Sequence, residues 1–267
     1  MGARIVQIAR DRQRGEAALK SLERCGPGVA HAIHYADLSR LGEMKRVAAE
    51  IAGAEPRIDV LINNAGALFG PRHVTEDGLE LTFALNHLSY FVVTQGLRER
   101  LKASAPARIV NTASDAHEAA TLDFDDLQSE KAYRGGFWQS VRFGGAGFKV
   151  YGRSKLCNIL FTRELARRLE GTGVTANCLH PGFVDTRFGD QSGGFMSFGI
   201  GIGKHFALTP EQGAETLVYL ASSPEVADMT GKYFHKCQPI MPSRAAQDDA
   251  AAQRLWDETA KIAGTAG

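Results

Sequence analysis

Short apolar runs alternate with longer amphipathic ones along almost the whole chain. Residues 3–9 (ARIVQIA), 29–35, 58–62 (IDVLI), 108–112 (RIVNT), 174–179 and 232–234 read as short buried strands. Between them, helical spacing of apolar positions predicts a charged helix carrying Ala17, Ala18 and Leu22 and stopping at Gly26-Pro27-Gly28. Further helices are predicted over 41–52, 75–102, 151–169, 210–221 and 248–262. Strands that alternate with helices in this way predict an α/β fold, a mostly parallel sheet with helices on both faces. Two stretches break the rhythm, 133–148 (YRGGFWQSVRFGGAGF) and 188–206 (FGDQSGGFMSFGIGIGKHF). Both are too rich in Gly and Phe for a regular element, and loops of that length are commonly lids or binding loops.

Composition narrows the partners. In 267 residues there are 31 basic and 30 acidic side chains, a formal net charge of +1, so no global field would gather nucleic acid or an anionic membrane. The four cysteines, Cys25, Cys157, Cys178 and Cys237, form no CxxC pair and have no histidine at ligand spacing; they read as reduced thiols of a cytoplasmic protein, and no metal site is expected. No signal-peptide pattern opens the chain and no run of about 18 apolar residues occurs, so no membrane span is expected. Without a repeat or low-complexity linker, residues 1–267 read as one domain.

The chemistry gathers at four places. Tyr151 and Lys155 in YGRSK are four apart on a helix, so their side chains share a face. A lysine ammonium beside a phenol, whose ordinary pKa is about 10, favours the phenolate and makes a proton donor and acceptor useful near neutral pH. Ser114 closes the strand RIVNTAS, where a parallel sheet presents side chains to the crevice beyond its carboxyl edge. Asn63-Asn64-Ala65-Gly66 follows one buried strand, Asn86 sits in FALNHLSYF, and HPGFVDT (180–186) follows another strand.

In this order and spacing the chain resembles the short-chain dehydrogenase/reductase superfamily, over almost everything from Gly2 to Ile262. FDDLQSEKAY, SKLCNILFTRELARRLEGTGVT, HPGFVDT and the tail TGKYF look most like its retinol-dehydrogenase-like branch. The resemblance implies a Rossmann-like doubly wound sheet. It implies Tyr151 as general acid/base, Lys155 as holder of the nicotinamide ribose, Ser114 as polariser of the substrate oxygen, and Asn86 as anchor of a proton-relay water. Asp37 matches the residue that bonds the adenine, Leu38 its packing neighbour, and Asn63, Ala65 and Gly66 the turn passing the adenine ribose. Pro181, Gly182, Val184 and Thr186 match the segment that orients the nicotinamide. Where NAD-type relatives carry an acid this chain has Ala9, and Arg10 follows as in NADP-type relatives; a guanidinium binds a 2′-phosphate that a carboxylate repels, so NADP(H) is expected over NAD(H).

A complete relative also carries an apolar strand, a TGxxxGxG turn and a helix ahead of the segment that opens here at Gly2. Their absence is expected to reflect a start codon assigned too late, then a shortened or spliced form, then a protein that keeps the motifs without the function. The expected function is NADP(H)-dependent hydride transfer between a lipophilic alcohol and its aldehyde or ketone; the alternative is a non-catalytic binding or scaffold protein. The expected partner is a small lipophilic carbonyl compound or alcohol, with a homo-oligomer open.

Overall fold

A computed structural model describes residues 2–134, 145–182 and 208–265. Along them run β1 (Val6–Ala9), α1 (Arg12–Cys25), β2 (Ala32–Tyr35), α2 (Leu41–Ala54), β3 (Val60–Asn63), α3 (Ser89–Ala103) and β4 (Ala107–Thr112). Then follow α4 (Gly145–Arg168), β5 (Val174–Leu179), α5 (Pro210–Ser222), β6 (Tyr233–His235), β7 (Gln238–Ile240) and α6 (Asp249–Ala263). The expected α/β, parallel-dominated architecture is what the chain adopts. β1 and β2 pair in parallel as one sheet, and β3-β4-β5-β6-β7 form a second that is parallel except for β7. β1 and β3 each have one edge with no strand pairing among the described residues, and Ile5 and Ile62 beside those edges are 39% and 41% exposed.

Period-2 alternation along β4 and β5 sends side chains to two cores. Ile109, Ala176 and Cys178 join a large cluster built with α2, α3, α4 and α6. Val110 and Leu179 turn to the other face, where Leu220 of α5 and Phe234 of β6 cover them. α6 seats Trp256 between Phe91 of α3 and Phe161 of α4, ring centroids 4.9 Å and 5.8 Å away. No helix among the described residues is long and apolar enough to cross a membrane.

Three elements differ from expectation. Helix does not begin near Thr75: Gly78, at φ +77°, turns the chain back so that Val74 bridges Glu80, and the Glu80 carboxylate caps a helix that starts only at Leu81. That helix widens into a π-turn at Ala84–Leu88 before continuing as α3. α4 begins at Gly145, earlier than Tyr151, where Gly and Phe had disguised its first turns. β7 had no sequence signal, because its tight hairpin places Lys236 and Cys237, rather than Asn-Gly, at φ +48° and +61°.

β3, β4, α3 and α4 are tied by a buried polar chain. Asn63 Nδ2 donates to Thr94 Oγ1 at 3.0 Å and to Asn111 Oδ1 at 2.8 Å, and Asn111 Nδ2 donates to Thr162 Oγ1 at 2.9 Å. Each such group left unpartnered in the core costs about 1–3 kcal/mol. Asn111→Ala should therefore lower the denaturant midpoint while leaving the slope unchanged, and a variant as stable as the parent would show that the chain of amides holds nothing.

Candidate active site

The carboxyl ends of β3, β4 and β5 open toward one face of α4. Thr112 is the last residue of β4, and its carbonyl accepts from Lys155 Nζ at 3.1 Å and from Asn158 Nδ2 at 3.2 Å. Tyr151 lies one turn before Lys155; the two are 6% and 2% exposed, and the lysine nitrogen sits 5.5 Å from the phenol ring centroid. It also lies 5.9 Å from the buried Tyr90 ring. Ser114, two residues past Thr112, caps the short turn Asp115–Ala119, its Oγ accepting from Ala116 N at 3.2 Å. The same hydroxyl donates to Asp115 Oδ1 at 3.0 Å. Ser114 is close enough to act on the Tyr151 phenol, so Ser114, Tyr151 and Lys155 are brought together.

Glycine makes this approach possible. A Cβ on Gly152 would lie 2.5 Å from the Ala116 carbonyl oxygen, so the absence of a side chain lets α4 press against the turn that carries Ser114. Gly152 went unread in the sequence, although a minimal residue beside a candidate acid/base was a signal for it. Ser154 and Asn158 were missed as well, being legible only once Lys155 is placed on a buried helix face.

Burial governs the proton chemistry. It lowers Lys155 to about 7, because the charged ammonium is the form that desolvation penalises. Burial raises Tyr151 above the ordinary phenol range, with the Ser114 hydrogen bond opposing and the Asp115 charge reinforcing that rise. Among the causes acting on the Tyr151 phenol, burial is the largest and Lys155 is not one of them.

The remaining positions fall into two groups. Asn86, in the π-turn, clamps the loop after β3: Oδ1 accepts from Ala67 N and Nδ2 donates to Ala67 O, both at 2.9 Å, and Nδ2 also donates to Ser154 Oγ at 3.0 Å. Its amide is therefore engaged with protein rather than offered to a water. Asn63 is turned into the core, whereas Asn64, which was not singled out, accepts from Thr112 Oγ1 at 2.8 Å. Ala65 is exposed beside Gly66, where a Cβ would come 3.1 Å from Asn86 Oδ1 and 3.5 Å from Lys155 Nζ. That bare backbone beside a buried lysine fits a ribose passing close to the loop. Pro181 and Gly182 follow β5, Gly182 at φ +89°. Val184, Thr186 and the 188–206 loop lie outside the described residues, as do Phe137 and Trp138.

Arg10, Asp37 and Leu38 stand on the β1–β2 sheet, away from the Tyr151 group in the fold. Arg10 is exposed and makes no hydrogen bond or ion pair among the described residues. Asp37 is half-buried; its Oδ1 accepts from Ser39 N and Oγ at 3.0 Å and 2.7 Å, and Leu38 packs on the core.

Residues 1–124 match the family profile described as short chain dehydrogenase, and residues 138–236 the one described as Enoyl-(Acyl carrier protein) reductase. Retinol dehydrogenase 13 of Homo sapiens is 40% identical over 270 residues, covering 98% of this chain and 78% of that protein. Retinol dehydrogenase 14 of Homo sapiens is 42% identical over 277 residues, covering 96% and 78%. Among solved structures, an uncharacterized protein from Mycobacterium Paratuberculosis aligns with a TM-score of 0.71 at 27% identity, over 97% of this chain and 84% of that one. A blue fluorescent protein from a metagenomic library, in complex with NADPH, aligns with a TM-score of 0.63 at 28% identity, over 87% and 85%.

Two expectations follow from the geometry. Gly152→Ala should push the Ser114 turn off α4 and lower turnover by about 10-fold or more, since misplacement of reacting groups by a fraction of an ångström is costly; unchanged kinetics would show that the contact is not needed. Between about 7 and the ordinary lysine value, the unfolded chain holds a proton on residue 155 that the folded chain has lost, so stability from this group rises with pH. Stability measured at pH 7 and pH 9 should therefore rise more in the parent than in Lys155→Met, and parallel behaviour of the two would refute the desolvated lysine.

Proposed function

This chain belongs to the short-chain dehydrogenase/reductase family, in its retinol-dehydrogenase-like branch, and from that premise we propose an NADP(H)-dependent enzyme that interconverts a lipophilic alcohol and its aldehyde or ketone. Family membership makes it an oxidoreductase of CH–OH groups that uses NAD(P)(H). The observation that carries the finer reading is the convergence of Ser114, Tyr151 and Lys155 around the end of β4.

A nicotinamide held by Lys155 and the Pro181-Gly182 segment would supply or accept the hydride. Tyr151 gives the substrate oxygen its proton in reduction and takes it back in oxidation. Ser114 donates a hydrogen bond to the same oxygen, and Lys155 holds the ribose hydroxyls with the two ammonium hydrogens that Thr112 does not use. Asn86, with its amide engaged, anchors a relay water through backbone groups of its π-turn; such turns recur at functional sites. Asn63, Ala65 and Gly66 form the turn past the adenine ribose, Asp37 and Leu38 the adenine site, and Pro181, Gly182, Val184 and Thr186 the nicotinamide segment. The unengaged Arg10 supports a 2′-phosphate, as does the NADPH found with the metagenomic relative.

Residues 1–267 form one domain in this reading. The lipophilic substrate rests on the Phe- and Gly-rich 188–206 segment, and cytoplasmic placement on the four free thiols.

The test pairs NADPH binding with turnover, on this chain and on one extended upstream by a strand and TGxxxGxG turn. Tyr151→Phe should leave NADPH affinity near normal and reduce turnover by about 10²–10⁴-fold. On straight-chain aldehydes, kcat/KM should rise about threefold to fourfold per carbon, since burying one methylene contributes about 0.8 kcal/mol. A flat series would refute the lipophilic pocket. NADPH binding without turnover of any carbonyl compound would identify a non-catalytic protein instead.

A further inference from the structure

A second set of polar side chains stands beside the Ser114–Tyr151 pair without belonging to it. Asp115 accepts from Ser114 through Oδ1 at 3.0 Å, while its Oδ2 lies 3.7 Å from Nε2 of His180, the residue that follows β5 and opens the Pro181-Gly182 segment. His180 has a defined tautomer: Gly182 N donates to its Nδ1 at 3.3 Å, which leaves Nε2 as the protonated nitrogen facing the carboxylate. The ring is stacked on His235 of β6, centroids 4.6 Å apart and planes 19° apart, and His235 Nδ1 lies 3.3 Å from the His180 carbonyl oxygen. This is a serine–carboxylate–imidazole row connecting the turn after β4 to the segment after β5.

The row matters because Ser114 has one hydroxyl hydrogen and more than one acceptor for it. Donated to Asp115, that hydrogen is withheld from Tyr151 and from a substrate oxygen. The Asp115 charge also disfavours the Tyr151 phenolate. We propose that Asp115 and His180 are positioning residues, the carboxylate setting how Ser114 shares its hydrogen and the imidazole setting how strongly the carboxylate competes for it. A neutral His180 leaves the Asp115 charge in force, and a protonated one, 3.7 Å away, offsets the negative charge that faces Ser114.

The groups facing this row among the described residues come from four elements. His117 and Glu118 share its turn, 3.3 Å apart; Tyr233 and His235 stand on β6; Tyr151 and Lys155 stand on α4; and Tyr90 lies behind Lys155 on α3. Burial holds His180 below the ordinary imidazole range, Asp115 draws it up, and His235 and His117 push it further down.

The proposal rests on the oxidoreductase reading, and Asp115→Asn tests the two separately. The His180 imidazole resonance, assigned by its loss in His180→Asn, should titrate about half a pH unit lower in Asp115→Asn; the shift is modest because Asp115 is 71% exposed and screened. An unmoved resonance overturns the pairing whether or not the chain turns over any substrate. In alcohol oxidation the rising limb of the kcat/KM profile should move acidward by a similar amount in Asp115→Asn, with NADP+ affinity within twofold of the parent. A loss of rate with no change in the profile would mean that Asp115 merely supports the turn, and would overturn the proposal.

Discussion

The carbonyl of Thr112 fixes the geometry on which the rest of the site depends. It ends β4 in the interior, where an unpartnered acceptor is costly, and α4 satisfies it twice, through Lys155 and Asn158. Two donors three residues apart on one helix fix both its rotation and its depth against the sheet. Tyr151, one turn earlier on the same helix, is thereby carried to the side of Ser114. Gly152 completes the arrangement by letting the helix come within contact of the turn that Ser114 caps.

Fixing Lys155 in this way also decides its electrostatics. An ammonium held in the interior loses its hydration, and the same burial acts on the adjoining phenol, so Lys155 and Tyr151 are both driven toward their neutral forms. Burial thus works against a phenolate beside the lysine. What shifts the balance is the polar rim: Ser114 favours the phenolate, and Asp115 opposes it by charge. A reading that stops at the tyrosine–lysine pair leaves out the groups that separate their proton affinities.

Much of this was legible because it is local. Strand and helix alternation, the four-residue spacing of Tyr151 and Lys155 and the position of Ser114 at a strand end are patterns within single elements, and all three stand where the sequence placed them. Partners that meet only through the sheet were not legible. Asp115 and His180 become neighbours because β4 and β5 pair in parallel register, and Asn86 reaches Ala67 because a π-turn re-aims it. The side-chain partners of Asn63 were hidden for the same reason: Thr94 and Asn111, which occupy its amide, lie on other elements, so whatever the Asn63–Gly66 turn offers a ligand comes from its backbone. The start of the helix at Leu81 turned on one glycine in a left-handed conformation, which overrode a helical pattern running back to Thr75.

The two sheets divide the work. Tyr151, Lys155 and Ser114 are carried by α4 and the end of β4, whereas Arg10, Asp37 and Leu38 ride on β1 and β2. No strand pairing joins the two among the described residues, so their relative placement rests on side-chain packing. Val6 and Ile8 of β1 lean on the main core, and α2 buries Met44, Val47, Ala48 and Ile51 there. α2 and α3 come close at Gly96 of α3, where a Cβ would lie 2.6 Å from that of Ala48. Any side chain at Gly96 would drive α2 outward and carry the β1–β2 unit with it, while the bonds around Thr112 stayed in place. A contact that sets the β1–β2 unit relative to Ser114, Tyr151 and Lys155 is therefore a helix–helix one, made away from the end of β4.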